Sequence, residues 1–306
     1  MIEISLQDRY RGALLGLAVG DALGTTLEFS RPGTFTPLTD MVGGGPFRLW
    51  AGQWTDDTSM ALCLATSLVE KGFDTFDQMH RYNRWYREGY LSSQPGNCFD
   101  IGVTTAEALN RFAESGQPIS GSTDRMSAGN GSLMRLAPVP MYFRQQESAA
   151  IEKSGVSSKT THAAPQSVDS CRYFAHLLLL AFQGKDKNEI CADHTALAWW
   201  NLDIEVSEVA QGTFKTRQPP EIVASGYVVK TLEAALWAFY HTESFSEGAL
   251  LAVNLGNDAD TVGAVYGQIA GAYYGGSRIP KSWLEKLYMC PEITQLADEL
   301  YTISQQ

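Results

Sequence analysis

Glycine recurs at every fourth position in the first predicted helix of this chain, over residues 6–24. The four glycines lie about one helical turn apart, so they leave one face of the helix without side chains. They are Gly12, Gly16, Gly20 and Gly24. A second helix can then approach closely, which predicts a buried central helix. In a membrane the same spacing would indicate helix dimerisation, but Asp21 interrupts a segment that is also too short to cross a bilayer.

Helical spacing also dominates the rest of the sequence. Apolar residues recur at three- and four-residue intervals, and alternating β-branched runs are few. Long polar connections, where function is often located, lie at 29–54, 90–101, 116–130 and 211–222. We therefore expect an all-α fold, and one domain over residues 1–306. The predicted helices are 6–24, 57–71, 75–89, 102–115, 130–141, 165–183, 186–199, 223–241, 245–255, 260–275 and 291–303.

The charge balance limits the partners of the chain. Hydrophobic residues make up 44% of it and charged residues 19%, and the net charge of −11 disfavours nucleic acids and anionic membranes. A cationic partner or a metal ion fits better. Five scattered cysteines without a C-x-x-C pair indicate neither a disulfide framework nor a zinc site. Because MIEISLQDRYR has no signal-peptide pattern, we expect a cytoplasmic protein without membrane insertion and, by default, a monomer.

Two predicted helix starts are rich in side-chain oxygens. The stretch GQWTDDTSMAL precedes one apolar helix and GNDADTVGAVYG precedes another, while Glu28 follows the glycine-containing helix. A single start of this kind is usually an N-cap, whose oxygens accept from free backbone N–H groups. The second stretch is not an EF-hand, because it lacks the glutamate at position 12. The oxygen-bearing residues of the two starts are Thr55, Asp56, Asp57, Asp258, Asp260 and Thr261.

If the two starts face each other, they place five carboxylates in one cleft together with Glu28. Such a cluster repels itself unless protons or cations balance it. Oxygen ligands suit hard ions such as Mg²⁺ or Mn²⁺ rather than zinc, and two ions would neutralise most of the charge. Spacing alone leaves two alternatives open, two capped surface helices or one metal site.

Seven stretches of the chain resemble the ADP-ribosylglycohydrolase family, especially its dinitrogenase-reductase-activating glycohydrolase branch. They run in order from residue 11 to about residue 275: RGALLGLAVGDALGTTLEF, GQWTDDTSMAL, CFDIGVTT, AGNGSLMRLAPV, TTHAAPQSVDSC, GYVVKTLEAALWAF and NLGNDADTVGAVYGQIAGAYYG. The resemblance implies a compact orthogonal multi-helix fold with a dinuclear Mn²⁺ or Mg²⁺ centre at the base of a cleft. It implies that the six residues of the two helix starts bind these ions and that Glu28 lies beside them.

The resemblance also implies a reaction, the hydrolysis of the N-glycosidic bond between ADP-ribose and a modified side chain. Asp100, in NCFDIG, would alone be interpreted as a helix N-cap. In the arginine-specific branch the matching aspartate lies near the scissile bond, where it can pair with the guanidinium or move a proton. The resemblance thus implies catalytic roles for Asp100 and Glu28.

The implied substrate is an arginine-ADP-ribosylated protein, with dinitrogenase reductase as one candidate, and the implied product is ADP-ribose. Two alternatives stay open. One is a hydrolase that reverses a toxin's modification of arginine, as an immunity protein. The other is a non-catalytic ADP-ribose-binding relative.

Three further motifs concern substrate binding. In SAGNGSLMR, residues Asn130, Gly131 and Ser132 either present backbone N–H groups to an anion or form an ordinary turn. The resemblance implies that they form a pyrophosphate-binding loop. His162, in TTHAA, and Tyr227, in SGYVV, would alone be capping or packing residues. The resemblance implies that His162 lies beside the substrate cleft and that Tyr227 lines the ribose site.

Overall fold

Helices form the regular secondary structure of the computed structural model, which describes residues 4–195 and 201–306. These two ranges contain isolated β-bridges but no strand, so the predicted all-α fold is confirmed. Across the same ranges, no helix is long and apolar enough to cross a membrane. The helices are α1 (Leu6–Gly24), α2 (Asp56–Lys71), α3 (Thr75–Glu88), α4 (Val103–Ser115), α5 (Pro138–Tyr142), α6 (Glu147–Lys159), α7 (Pro165–Phe182), α8 (Lys187–Ile190), α9 (Ile204–Ala210), α10 (Val228–Tyr240), α11 (Phe245–Val253), α12 (Ala259–Tyr274), α13 (Lys281–Lys286) and α14 (Cys290–Ile303), with short 3₁₀ turns at Thr25–Leu27, Arg125–Ser127, Thr213–Lys215 and Gly276–Arg278.

Helices α1 and α12 lie antiparallel with their backbones in direct contact. A methyl group added at Gly20 would overlap the backbone carbonyl of Gly263, and the other facing glycines are equally crowded. Helix α1 is buried from its first glycine to its last. The close approach predicted from the glycine spacing is therefore confirmed. The facing pairs are Gly12 with Gly271, Gly16 with Gly267, and Gly20 with Gly263.

The antiparallel arrangement determines where the acidic residues lie. The C-terminal end of α1, which leads to Glu28, lies beside the N-terminal end of α12, where Asp258 is the N-cap. The start of α2 reaches the same place, because Asp21 in α1 accepts hydrogen bonds from the backbone N–H groups of Thr55 and Thr58. Helices α7, α10 and α11 pack on α12, whereas α14 packs on α1 and α2. Three separate segments of the chain thus meet at one end of the α1–α12 pair.

The helix predicted over residues 130–141 is wrong for most of its length. Residues 130–137 form turns, and α5 begins only at Pro138. Two glycines weaken helix formation at the start of this segment, and a proline is best tolerated in a helix at its first turn. The segment has helix-like apolar spacing because Leu133, Met134 and Leu136 are all buried. Here the spacing reflects burial of an irregular segment rather than a helix.

Other differences concern short or weakly patterned helices. The sequence pattern predicts none of α6, α9 and α13. Helix α6 packs against α7 through small residues such as Ser154 and Gly155, which a search for large apolar residues does not detect. The predicted helix 186–199 is described only as far as residue 195, and in that part α8 is the helical segment; its residues 196–199 lie outside the described ranges. Helix α10 begins later than predicted, at Val228, and the remaining predicted helices agree within two residues at each end.

Candidate active site

A cleft of about 690 Å³ opens at the end of the α1–α12 pair. Thr261 lines it together with three residues predicted to bind substrate, Asn130, Gly131 and His162. The structure therefore brings the two acidic helix starts together in one cleft instead of leaving them as separate surface caps. The acidic residues that line the cleft are Glu28, Asp56, Asp100, Asp258 and Asp260.

The start of α12 provides one group of carboxylates. Asp258 precedes the helix, and Asp260 lies in its first turn. Glu28 reaches this start because its Oε2 accepts a hydrogen bond from the backbone N–H of Ala259 at 3.1 Å. Carboxylate oxygens of Glu28, Asp258 and Asp260 lie within 4.8 Å of one another. One cation could contact all three.

The start of α2 provides a second group, which shares Asp260 with the first. Oxygens of Asp21, Asp57 and Asp260 lie within 4.8 Å of one another. The Thr55 hydroxyl lies 3.2 Å from Asp57 Oδ2 and 3.3 Å from Asp260 Oδ2. Both Thr55 and Asp57 are buried behind the surface of the cleft, whereas Asp56 lines the cleft itself.

Burial raises the pKa of every carboxyl in these two groups. For Asp258, burial and then repulsion from Asp260 raise the pKa to about 7. Burial likewise raises the pKa of Asp260 to about 7. The pKa values of Glu28, Asp56 and Asp57 are also raised, with burial again the largest cause. The cluster therefore binds protons unless another positive charge is present.

The chemistry of the cluster fits a divalent cation. Asp57 Oδ1 is buried and accepts no hydrogen bond from the described part of the chain, which is costly for a carboxylate oxygen. The side chains that face one another carry carboxylate and hydroxyl oxygens, the ligands that hard divalent cations prefer. The positive ends of α2 and α12 add only about half an elementary charge each. A metal ion would supply the missing charge and a partner for the buried oxygen.

Asp100 enters the cleft from the connection between α3 and α4. Its backbone is left-handed, with φ 61°, and so are those of Phe29 (φ 60°) and Asn257 (φ 52°), which also line the cleft. Such conformations are unfavourable for residues other than glycine and often occur at functional sites. Burial raises the pKa of Asp100 to about 7, and its carboxyl lies close enough to that of Asp260 for each to perturb the other. Asp100 therefore lies directly beside the acidic cluster.

Residues 129–132 form a glycine loop at the cleft. The Asn130 side chain donates hydrogen bonds to Asp258 Oδ2 at 2.7 Å and to Thr231 Oγ1 at 2.8 Å. Buried Arg135 donates to the carbonyl of Gly131 at 2.6 Å. The backbone N–H groups of Gly131 and Ser132 donate to no acceptor among the described residues. The loop is thus tied to the acidic cluster while two of its N–H groups stay available to an anion.

His162 lines the cleft and packs against this glycine loop. A methyl group on Gly131 would lie 2.7 Å from His162 Cε1, so glycine is required there. Burial, and then the charge of Arg135, lower the pKa of His162 to about 3, so the ring is neutral. The Thr161 hydroxyl accepts a hydrogen bond from Arg135 and lies 2.9 Å from His162 Nδ1. After accepting from Arg135, this hydroxyl still has a hydrogen and a second lone pair for Nδ1, so the contact fits either ring tautomer of His162.

Two side chains predicted to bind substrate do not line the cleft. The Ser132 hydroxyl is buried, 2.8 Å from that of Ser158, so this side chain faces the protein interior. Tyr227 pairs through its backbone with Gly129, but its hydroxyl donates to Glu205 in α9 at 2.8 Å. The structure therefore places both residues next to the cleft, with their side-chain oxygens turned away from it.

Two buried charged residues at the site were not identified from the sequence. Asp21 contacts the start of α2, and Arg135 contacts the glycine loop. The sequence does contain an indication of both, because each is a single charged residue within an apolar segment. A charge in such a segment needs buried partners, and those partners often belong to a site.

The fold and the cleft define an all-α protein with an oxygen-lined acidic site. A sequence model of the ADP-ribosylglycohydrolase family matches residues 3–306. The chain belongs to this family, which is metal-dependent, and the resemblance seen in the sequence is confirmed.

Curated relatives agree with this assignment. The ADP-ribosylarginine hydrolase Tri1 of Serratia proteamaculans (strain 568) is 45% identical over 295 residues, which is 96% of this chain and 79% of the relative. The Tri1 protein of Pseudomonas putida (strain GB-1) is 47% identical over 295 residues, with coverage of 96% and 78%. The ADP-ribosyl-[dinitrogen reductase] glycohydrolase of Rhodospirillum rubrum is 32% identical over 290 residues, with coverage of 93% and 92%.

A solved structure, titled ADP-ribosylglycohydrolase-related protein complex, has the same fold. The TM-score is 0.87 and the sequence identity 45%, over 98% of this chain and 99% of the other. The fold expected from the resemblance is therefore confirmed over nearly the whole chain.

Proposed function

We propose that this protein is an ADP-ribosylarginine hydrolase. It cleaves the N-glycosidic bond between ADP-ribose and an arginine side chain of a protein, releases ADP-ribose and restores the arginine. The observation that carries this proposal is the position of Asp100, which lines the acidic cleft together with Asp260. The guanidinium of the substrate is cationic, so carboxylates around it bind it, and they stay close to the positive charge that passes to the ribose as the neutral guanidine leaves. Two relatives named as ADP-ribosylarginine hydrolases, 45% and 47% identical, support the same linkage.

We assign two divalent cations, Mn²⁺ or Mg²⁺, to the cleft. Two groups of side-chain oxygens that share Asp260 support two neighbouring ions: Glu28 and Asp258 complete one group, and Thr55 and Asp57 complete the other. The absence of nitrogen and sulfur from these groups favours Mn²⁺ or Mg²⁺ over zinc. Glu28 lies beside the site. When bound, such ions coordinate substrate hydroxyls and a water molecule and lower the pKa of that water. The proposed ligands are Thr55, Asp56, Asp57, Asp258, Asp260 and Thr261.

The two carboxyls that we propose as catalytic are those of Asp100 and Glu28, which transfer protons and contact the leaving group. Burial raises the pKa of Asp100 to about 7 in the protein without metal, and bound cations would lower it towards the ionised form. As a carboxylate it pairs with the guanidinium, and as an acid it donates a proton to the departing nitrogen. Glu28 is oriented by the backbone N–H of Ala259. With cations bound beside it, Glu28 would be ionised and could accept the proton of the attacking water from this position.

The glycine loop and His162 bind the rest of the substrate. The backbone N–H groups of Gly131 and Ser132 face no acceptor among the described residues, so they are available to the pyrophosphate. His162 is neutral, so one of its ring nitrogens carries a hydrogen that it can donate and the other can accept. Tyr227 lies at the edge of this region and contributes through its backbone contact with Gly129.

The specificity that we propose is for the linkage to arginine, not for one target protein. The Rhodospirillum rubrum relative is named for dinitrogen reductase, but its identity of 32% is lower than that of the two ADP-ribosylarginine hydrolases. Dinitrogenase reductase and an arginine-containing protein modified by a toxin both present the same bond. The same residues would therefore serve either biological role.

The proposed function can be tested by the release of free ADP-ribose from an arginine-ADP-ribosylated protein, in Mn²⁺ and in EDTA. A serine-ADP-ribosylated protein is the control. We expect Mn²⁺-dependent release from the arginine substrate alone. Release from the serine substrate alone would contradict the role of Asp100. No release from either substrate, with Mn²⁺ bound, would instead favour a non-catalytic ADP-ribose-binding protein.

A further inference from the structure

Asp21 is a fully buried carboxylate in α1 that has no part in the proposed chemistry. Its Oδ1 accepts hydrogen bonds from the backbone N–H of Thr55 at 2.8 Å and from the Thr55 hydroxyl at 2.9 Å. Its Oδ2 accepts from the backbone N–H of Thr58 at 3.0 Å and from the Thr58 hydroxyl at 2.6 Å. A carboxylate offers about four acceptor positions, and all four are used. Although Asp21 lies near Asp57 and Asp260, it has no free lone pair for a metal ion.

The Thr55 hydroxyl has one hydrogen but three carboxylates within reach. The distances from Oγ1 are 2.9 Å to Asp21, 3.2 Å to Asp57 and 3.3 Å to Asp260. Asp21 is the nearest, and it also accepts the backbone N–H of the same threonine. With the hydrogen on Asp21, the lone pairs of Oγ1 face Asp57 and Asp260. Three oxygens that face one another without a hydrogen repel, whereas a cation among them would be attracted to all three.

We infer that Asp21 is a positioning residue for the proposed metal site: it accepts the Thr55 hydroxyl hydrogen and so directs the lone pairs of Thr55 towards the ion that Asp57 and Asp260 bind. This inference rests on the proposed metal-dependent function. The inference specifies which carboxylate accepts the hydrogen of the Thr55 hydroxyl, which the three distances from Oγ1 do not settle by themselves. Removing the partner that orients a metal ligand typically lowers metal affinity by about 10- to 100-fold.

The packing of α1 holds Asp21 in place for this role. Gly20 and Gly24 flank it in the sequence and contact the backbone of α12 at Gly263 and Ala259. Neither contact leaves space for the helix to shift. The carboxylate of Asp21 is therefore fixed relative to the start of α12 as well as the start of α2.

The first test is Mn²⁺ affinity, measured by isothermal titration and by the electron paramagnetic resonance of free Mn²⁺, on protein whose helix content is normal by circular dichroism. We expect Asp21→Ala to weaken binding at least about tenfold, because the Thr55 hydroxyl then donates to Asp57 or Asp260. Thr58→Ala is the matched control, since it removes a hydrogen bond to the other oxygen of Asp21. It should bind Mn²⁺ within about threefold of the unmodified protein, which is the usual range for a change that leaves the ligands untouched.

A double-mutant cycle separates this role from a purely structural one. If Asp21 acts through the hydroxyl, Asp21→Ala should change Mn²⁺ affinity by less than about threefold once Thr55→Val has removed that hydroxyl. A full tenfold loss in the Thr55→Val background would overturn the inference, because Asp21 would then act independently of Thr55. Affinity of Asp21→Ala equal to that of the unmodified protein would overturn it as well.

If Asp21→Ala does not fold, neutron diffraction of the deuterated, unmodified protein tests the same point. Deuterium between Thr55 Oγ1 and Asp21 Oδ1 supports the inference, and deuterium directed at Asp57 or Asp260 overturns it. None of these measurements depends on substrate turnover. Failure of the inference is therefore distinguishable from failure of the proposed hydrolase activity.

Discussion

Replacing Gly20 by alanine tests the contact on which both the fold and the site depend. The added methyl group would overlap the carbonyl of Gly263 and would lie 2.9 Å from the backbone nitrogen of Ala264. These atoms belong to the backbone of α12, so no side-chain rotation can relieve the overlap. The two helices would have to separate by roughly 1 Å or more, which removes a large part of the dispersion energy between neighbouring atoms.

We expect Gly20→Ala to lower the free energy of unfolding by about 4 kcal/mol. Overpacking a core typically costs about 1–3 kcal/mol, and we place this variant above that range, at about 5 kcal/mol, because only backbone can move. Alanine recovers about 1 kcal/mol through its higher helix propensity. For 306 residues, an unfolding entropy of about 2.1 cal/mol/K per residue gives about 0.64 kcal/mol/K. The melting temperature should therefore fall by about 6 °C.

Gly155→Ala is the matched control for this variant. It makes the same chemical change inside α6, where the new methyl group would lie 3.1 Å from Arg172 Cγ and 3.3 Å from Val168 Cγ1. These are side-chain atoms, and the Arg172 side chain is flexible, so we expect a change within about 1 kcal/mol, or about 2 °C. Melting would be followed by circular dichroism at one heating rate. Equal melting temperatures for the two variants would refute the argument that backbone contact between α1 and α12 limits stability.

Three further predictions concern the site. Asp57→Asn should abolish Mn²⁺ binding and ADP-ribose release while leaving the helical circular dichroism intact; normal turnover would contradict the proposed metal site. Asp100→Ala should keep Mn²⁺ binding but lower kcat on the arginine substrate at least about hundredfold, the usual range for a lost acid or base, and an unchanged kcat would exclude that role. In the folded protein the pKa values of Asp258 and Asp260 are about 7, above the value of about 3.9 for an aspartate in the unfolded chain. The stability that these two protonated side chains contribute is therefore present at low pH and is lost as the pH rises through about 7. Metal-free protein should therefore melt at a lower temperature at pH 8 than at pH 6, and saturating Mn²⁺ should remove the difference; a metal-free melting temperature that does not vary with pH would contradict this.

The elements with local signals could be predicted from the sequence. The bounds of α1 agree with the predicted helix 6–24, because its glycine and apolar spacing repeats within one helical turn. Each acidic helix start likewise contains its own signal in adjacent residues. Spacing could not show that the two starts meet, because about 200 residues separate them in the sequence. The expectation that they meet came from the family resemblance. Asp21 then connects one start to α1 through hydrogen bonds that no sequence pattern specifies.

The glycine loop shows why the rest could not be predicted. Its apolar residues are buried although the backbone turns irregularly, so their spacing imitates a helix. The direction of a side chain within such a loop depends on distant partners. Ser132 turns towards Ser158, and Asn130 turns towards Asp258. Only the packed structure decides which of two neighbouring polar side chains reaches the cleft.

The glycine contact and the acidic cluster are physically coupled. Where the backbones of α1 and α12 touch, no side chain fits between them, so a lysine or arginine from this contact cannot reach the carboxylates at its end. The nearby buried cation, Arg135, is already engaged by the Gly131 carbonyl and the Thr161 hydroxyl. Arg31 lines the same cleft, but it forms no ion pair with a carboxylate of the described residues. The charge of the cluster must then be balanced by protons, as its raised pKa values indicate for the protein without metal, or by something smaller than a side chain. A divalent cation meets that size limit, and the packing that keeps basic side chains out of the contact between α1 and α12 thereby favours a metal ion at this end of the two helices.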